Sequence, residues 1–166
     1  SHLQTVANSI KIPDWERNAI DTSILTLSNK LYLHFNNIET KFVFGSYDRK
    51  TILRRSKDPN SDVDFMVVFN DGGNYTPQTL MNRLKAFALA RYPSNEIYQS
   101  SPTVILELGH IKFELAPAKK DWLGLYIPAP VSNYENWILT NPQTVKTNLN
   151  NKNQVCHYQI RKLVRL

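Results

Sequence analysis

Two short stretches of this 166-residue chain carry residues whose types and spacing could do chemistry: Phe44-Gly45-Ser46-Tyr47 and, further along, Ser61-Asp62-Val63-Asp64 running into Phe65-Met66-Val67-Val68. In a strand, residues two apart share a face, so Asp62 and Asp64 project together while Val63, Phe65, Val67 and Phe69 turn toward a core. Two carboxylates on one face repel unless a cation lies between them. Hard oxygen ligands of this kind suit Mg²⁺, which takes one or two protein carboxylates and completes its shell with water and substrate phosphates. Gly45 lets the backbone turn tightly at the end of a strand over 41–44, and Ser46 can offer a phosphate both an N–H and a hydroxyl. A helix opening at Tyr47 would turn its positive end toward the same phosphate. A Gly-Ser pair alone is an ordinary turn, and Asp-x-Asp alone is an ordinary strand edge or cap. Their order, their spacing and the apolar run behind the aspartates point instead to metal-assisted transfer of a nucleotide.

A third carboxylate follows from strand register. Residues 103–116 read as a β-hairpin whose two-residue turn is Gly109-His110. With Leu108 opposite Ile111, one face carries Val104, Leu106, Leu108, Ile111, Phe113 and Leu115. The other carries Ile105, Glu107, Lys112, Glu114 and Ala116. A slip of one residue would bury Glu107, Lys112 and Glu114 together, so the register is strongly specified. Glu107 then faces Lys112 as a cross-strand ion pair, and Glu114, left without a partner, is the better candidate to join Asp62 and Asp64 around metal.

These residues resemble a known group. Gly45-Ser46 with Thr51 downstream, Ser61-Asp62-Val63-Asp64, the strand end Phe113-Glu114-Leu115-Ala116-Pro117-Ala118, and Trp137 followed by Thr140-Asn141-Pro142 look like the bacterial cGAS/DncV-like nucleotidyltransferases. These are the CD-NTases of CBASS anti-phage defence, within the polymerase-β-like superfamily. The resemblance implies an α+β catalytic domain over residues 1–166, with a mixed or antiparallel sheet flanked by helices. It also implies that Asp62, Asp64 and Glu114 are catalytic and metal-binding, and that Gly45, Ser46 and Thr51 bind nucleotide. Two Mg²⁺ ions, replaceable by Mn²⁺, are the implied cofactors. ATP, GTP or other nucleoside triphosphates are the implied substrates, regulatory proteins are possible partners, and the implied product is a cyclic or linear oligonucleotide second messenger. The chain departs from the family pattern at Glu114, where Asp is usual, and at Lys50, where Gly is frequent. Relatives of this kind are about twice as long, so the chain reads as the N-terminal half of a longer protein, with 142–166 opening a helical region. A minimal nucleotidyltransferase acting on a protein or an RNA 3′ end, and a nucleotide-binding fragment without activity, stay open as alternatives.

Composition sets the frame for these motifs. A length of 166 residues suits one domain. The 42% apolar content includes no run approaching the ~18 residues of a membrane span. The opening Ser1-His2 looks like the scar of a cleaved tag. A single cysteine, Cys156, fits a reducing cytoplasm. The net charge of +6 is uneven, since Lys146, Lys152, Arg161, Lys162 and Arg165 follow Glu135 with no further acidic residue. That basic face suits a triphosphate, a nucleic acid or an acidic surface, or is simply solvated, so nucleic-acid binding stays open.

The elements that must position the site are legible in outline. Helices are expected over 14–35, with Ile20, Ile24, Leu27 and Leu31 inward, and over 77–92, with Leu80, Leu84, Phe87 and Ala88 inward. A short helix should run from Tyr47 to about Leu53, followed by a polar loop over 54–60. Pro117, Pro128 and Pro130 mark an irregular crossing that leads to two helical patterns after Pro142. His34, His110 and His157 show no ligand spacing, so no zinc site is expected. Trp15, Trp122 and Trp137 are expected to pack.

Overall fold

The computed structural model describes residues 11–100, 102–129 and 135–141. Helix α1 (Asp14–His34) opens behind Pro13, with Asp14 and Glu16 in its first turn complementing the helix dipole. Ile20, Leu27 and Leu31 form its buried stripe. Strand β1 (Ile38–Phe44) leads into a single helical turn, α2 (Gly45–Asp48), and after a loop comes β2 (Asp62–Phe69). Helix α3 (Pro77–Arg91) has Pro77 in its first turn, and its N-cap Thr76 accepts a hydrogen bond from the Thr79 N–H at 3.2 Å. Strands β3 (Glu96–Ser100), β4 (Thr103–Glu107), β5 (Lys112–Asp121), β6 (Gly124–Pro128) and β7 (Trp137–Thr140) follow.

The strands form one sheet of order β1-β2-β5-β4-β3, with β6 joining the far end of β5 and β7 pairing with β6. Only β2 and β5 run parallel, so the sheet is mixed, as expected. Helices α1 and α3 contribute Ile20, Leu27, Leu84 and Phe87 to the core that buries Val63, Phe65, Val67, Leu106, Phe113 and Leu115. The alternation of the strands therefore sends Asp62, Asp64, Lys112 and Glu114 to the opposite face. Farther along β2 from its aspartates, a small apolar cluster of Met66, Val68 and Ala118 packs with Phe42, Phe44, Leu125 and Ile127. The hairpin register is the expected one: the Leu108 N–H donates to the Ile111 carbonyl at 2.9 Å across Gly109-His110.

Several expectations need correction. The helix after Gly45 begins at Gly45 and ends at Asp48, well short of Leu53. Lys50 takes a left-handed φ of 59°, which reverses the chain. A glycine would adopt that conformation freely. The segment after Pro117 is not irregular, because β5 runs on to Asp121. Pairing with β4 ends at Leu115, so Pro117 needs no donor on that side, and an extended strand accommodates its φ. Strands β3, β6 and β7 had no sequence counterpart. Trp15 and Trp122 are 69% and 89% exposed, the first in the opening turn of α1 and the second in the β5–β6 turn, so neither packs. Trp137 is half-buried and its ring N–H donates to the Tyr75 carbonyl at 3.3 Å. No helix among the described residues is long and apolar enough to cross a membrane. The helical patterns after Pro142, the basic residues from Lys146 onward, His157 and Cys156 lie outside the described residues.

Candidate active site

The Gly-Ser turn and the aspartate strand form one unit. In the antiparallel β1–β2 pair Phe44 lies opposite Asp64, so the chain leaving β1 turns directly over the Asp64 side chain. Gly45 makes that turn at φ +66°, and a β-carbon placed on it would collide with Asp64 Oδ2. The backbone N–H of Ser46 faces the Asp64 carboxylate and favours its charged form. The Ser46 carbonyl accepts from the N–H groups of Thr51, at 2.9 Å, and Ile52, at 3.1 Å, and from the Thr51 hydroxyl at 3.3 Å. Thr51 is buried and acts here on the turn itself. Tyr47 pins the turn to α1, its hydroxyl donating to Asp21 Oδ1 at 2.7 Å. The Ser46 hydroxyl is buried with no hydrogen-bond partner among the described residues, an arrangement that costs free energy unless a ligand completes it.

The parallel pairing of β2 and β5 brings in the third carboxylate. Asp64 lies opposite Glu114, and Asp62 opposite Lys112. Burial first, then the charges of Asp62 and Glu114, push the Asp64 carboxyl up to about 6, against the opposing pull of Arg49 and the Ser46 N–H. Burial and the nearby Asp62 likewise raise Glu114, with Lys112 opposing. The Lys112 ammonium lies 3.6 Å from Asp62 Oδ2 and 3.4 Å from Glu114 Oε1. Burial disfavours that ammonium, but Glu114 and Asp62 outweigh the penalty and raise its pKa.

The expected Glu107–Lys112 ion pair does not form, although the two are register partners. Arg55 takes Glu107 instead, with two charge-assisted bonds of 2.8 and 2.7 Å. The planar fork of a guanidinium matches a carboxylate better than an ammonium does, while Lys112 has two carboxylates of its own. Arg55 hydrogen bonding pulls the Glu107 carboxyl below its ordinary range, and the Gly109 N–H, at 2.9 Å, adds to the effect. The 54–60 loop is thus fastened to the sheet. The Arg55 N–H also donates to Glu16 Oε1 at 3.2 Å, and the Ser61 hydroxyl to the Leu53 carbonyl at 2.7 Å. Sequence reasoning missed Arg55, and it placed Lys112 on the face of Glu114 but paired it with Glu107 instead of Asp62 and Glu114.

The donor set fits divalent cations in kind. Three carboxylates share one face, two of them are raised by crowding and burial, and all are hard oxygen donors. Among the described residues, no three His, Cys, Asp or Glu side chains already converge into a cation cage.

Comparison with known proteins identifies the family and the fold. The family profile described as "Second Messenger Oligonucleotide or Dinucleotide Synthetase domain" matches residues 1–153. A solved structure of the CD-NTase CdnG from Bradyrhizobium diazoefficiens in complex with GTP is similar, with TM-score 0.71 and 15% identity over 87% of this chain and 44% of that one. CdnC from E. coli MS115-1, solved with ATP, has TM-score 0.71 and 14% identity over 98% of this chain and 54% of its own. It has also been solved in a CdnC:HORMA-deltaN complex. The CdnE cyclic dinucleotide synthase of Elizabethkingia meningoseptica, solved with GTP and Apcpp, has TM-score 0.67 and 18% identity over 87% of this chain and 56% of its own. The chain spans about half the length of these solved structures. No curated protein matches. At such identities the likeness carries the fold, the α+β polymerase-β-like arrangement expected from the sequence.

Proposed function

The chain belongs to the Second Messenger Oligonucleotide or Dinucleotide Synthetase domain family, and on that premise we propose that it joins nucleoside triphosphates into a cyclic or linear oligonucleotide second messenger. The observation that carries this reading is the placement of Asp62, Asp64 and Glu114 on one sheet face, with the buried, unpartnered Ser46 hydroxyl beside Asp64. ATP and GTP are the proposed substrates, in keeping with the nucleotides bound in the related structures. An anti-phage setting, a cytoplasmic location and regulatory protein partners belong to the same proposal.

In this reading Asp62, Asp64 and Glu114 would hold two Mg²⁺ ions, or Mn²⁺ in their place. Bound divalent ions supply the charge that lowers the pKa of an attacking ribose hydroxyl and neutralises the donor phosphates. Gly45, Ser46 and Thr51 form the triphosphate-facing turn. The Ser46 hydroxyl donates to a phosphate oxygen, and Thr51 keeps the Ser46 carbonyl engaged so that the turn holds its shape. The Glu114 carboxylate receives the proton of the acceptor hydroxyl. The new bond joins that oxygen to the donor α-phosphorus, the α–β bridging bond breaks, and pyrophosphate leaves.

The test is incubation with radiolabelled ATP, GTP, CTP and UTP and either Mg²⁺ or Mn²⁺, followed by phosphatase. Small resistant products that vanish in Asp64→Asn support the proposal. Label on a protein or an RNA end overturns it in favour of macromolecular modification.

A further inference from the structure

Lys112 is a charged group at this site that the proposed reaction leaves unused. Its side chain is only 17% exposed, and lysine is seldom so covered unless paired. Both of its partners, Asp62 at 3.6 Å and Glu114 at 3.4 Å, are carboxylates assigned above to the metal ions. The contact is built into the sheet, because the register that sets Asp64 opposite Glu114 sets Lys112 opposite Asp62. Nearby cations are otherwise engaged: Arg55 is held by Glu107, and Arg49 acts on Asp64.

An ammonium at these carboxylates and a divalent ion on them compete. Mg²⁺ needs carboxylate oxygens at about 2.0–2.1 Å in a near-octahedral shell, and an adjacent fixed positive charge opposes its entry. Lysine has a flexible four-carbon stem and a strongly hydrated head, so it can leave for solvent. Lys112 is the first residue of β5 and follows the exposed Gly109-His110 turn, which leaves that route open.

We propose that Lys112 is a built-in counter-cation: in the metal-free protein it holds Asp62 and Glu114 together in place of a divalent ion, and it withdraws when metal binds. This rests on the metal-binding reading of the carboxylates given above. Lys112 is accordingly a positioning residue that keeps the carboxylates assembled while lowering their affinity for free metal.

The experiment uses the full chain with Mn²⁺ alone, followed by electron paramagnetic resonance of free Mn²⁺ and by thermal melting. Lys112→Gln should bind Mn²⁺ about tenfold more tightly, as expected for removal of one unit charge at a partly buried site. It should melt lower than the parent without metal, and that deficit should disappear at saturating Mn²⁺. Lys112→Arg, which keeps the charge, should stay near the parent, as should Lys57→Gln, a change at an exposed loop residue. Unchanged or weaker Mn²⁺ binding in Lys112→Gln overturns the proposal. So does a melting deficit that persists at saturating Mn²⁺, which would mark a merely structural lysine. If Lys112→Gln does not fold, lysine-directed labelling of the parent, read by mass spectrometry, decides. Labelling of Lys112 that rises several-fold on adding Mn²⁺ supports withdrawal, and unchanged labelling overturns it. No nucleotide is present, so a failed synthesis assay would remove the synthetase reading and leave these results standing. Absence of Mn²⁺ binding in parent and variants alike would overturn the counter-cation.

Discussion

Asp64 Oδ2 occupies the space that a β-carbon on Gly45 would fill. This close approach brings the Ser46 N–H near the Asp64 carboxylate and keeps the Gly-Ser turn against the aspartate strand. Gly45→Ala is therefore expected to act twice. Its left-handed φ strains any L-residue by about 1 kcal/mol, and the added methyl group must displace Asp64. Melting should fall by several degrees, and Mg²⁺-dependent product should be lost even where the variant remains folded. A variant with parental melting temperature and turnover would show that this contact does not shape the site.

The crowding of Asp64 has a pH signature in the metal-free protein. The folded pKa, about 6, lies above the ordinary 3.8. The protonated form is thus favoured by the fold, and the associated stability is present below pH ~4 and lost as pH rises through ~6. Asp64→Asn removes a charge that the metal-free site accommodates poorly. It should be more stable than the parent at pH 7, by about 2 kcal/mol, with a smaller difference at pH 4, while losing activity. Denaturant unfolding in EDTA at the two pH values measures this, and a less stable variant at pH 7 contradicts it.

Ser46 separates ligand binding from folding. Its buried hydroxyl has no partner among the described residues, so Ser46→Ala should leave stability unchanged or slightly improved. If the hydroxyl donates to a phosphate, the KM for nucleoside triphosphate should rise about tenfold, equivalent to ~1.4 kcal/mol for a bond to a charged group. Steady-state kinetics beside a melting curve distinguish the two effects, and a fall in stability with KM unchanged would assign Ser46 to folding alone.

Arg55 and Glu107 are each about a quarter exposed, at 25% and 24%, so their bidentate pair is discounted for solvent screening to about 1 kcal/mol. Arg55→Ala should leave the sheet intact but loosen the loop at 54–60. Hydrogen exchange should accelerate at the amides of Arg55 and Gly109, which donate to Glu16 and Glu107. Unchanged exchange at both positions would show that the pair does not restrain the loop.

Much of the candidate site is legible in the sequence because its signals are local. The period-two alternation puts Asp62 and Asp64 on one face, and the penalty for burying Glu107, Lys112 and Glu114 pins the hairpin register that the Leu108–Ile111 bond displays. Helices α1 and α3 follow from apolar spacing alone. What alternation does not encode is which strand lies beside which. The parallel pairing that sets Glu114 opposite Asp64 joins segments far apart in the chain, and only tertiary packing decided it. The same non-local pairing turned Lys112 toward Asp62 and Glu114 and left Glu107 to Arg55, since a charged side chain chooses among whatever partners the fold brings within reach. By itself the sequence determined which residues are candidates for the chemistry and which way they face; the tertiary structure decided which of them meet, because face is a property of one strand and contact a property of two.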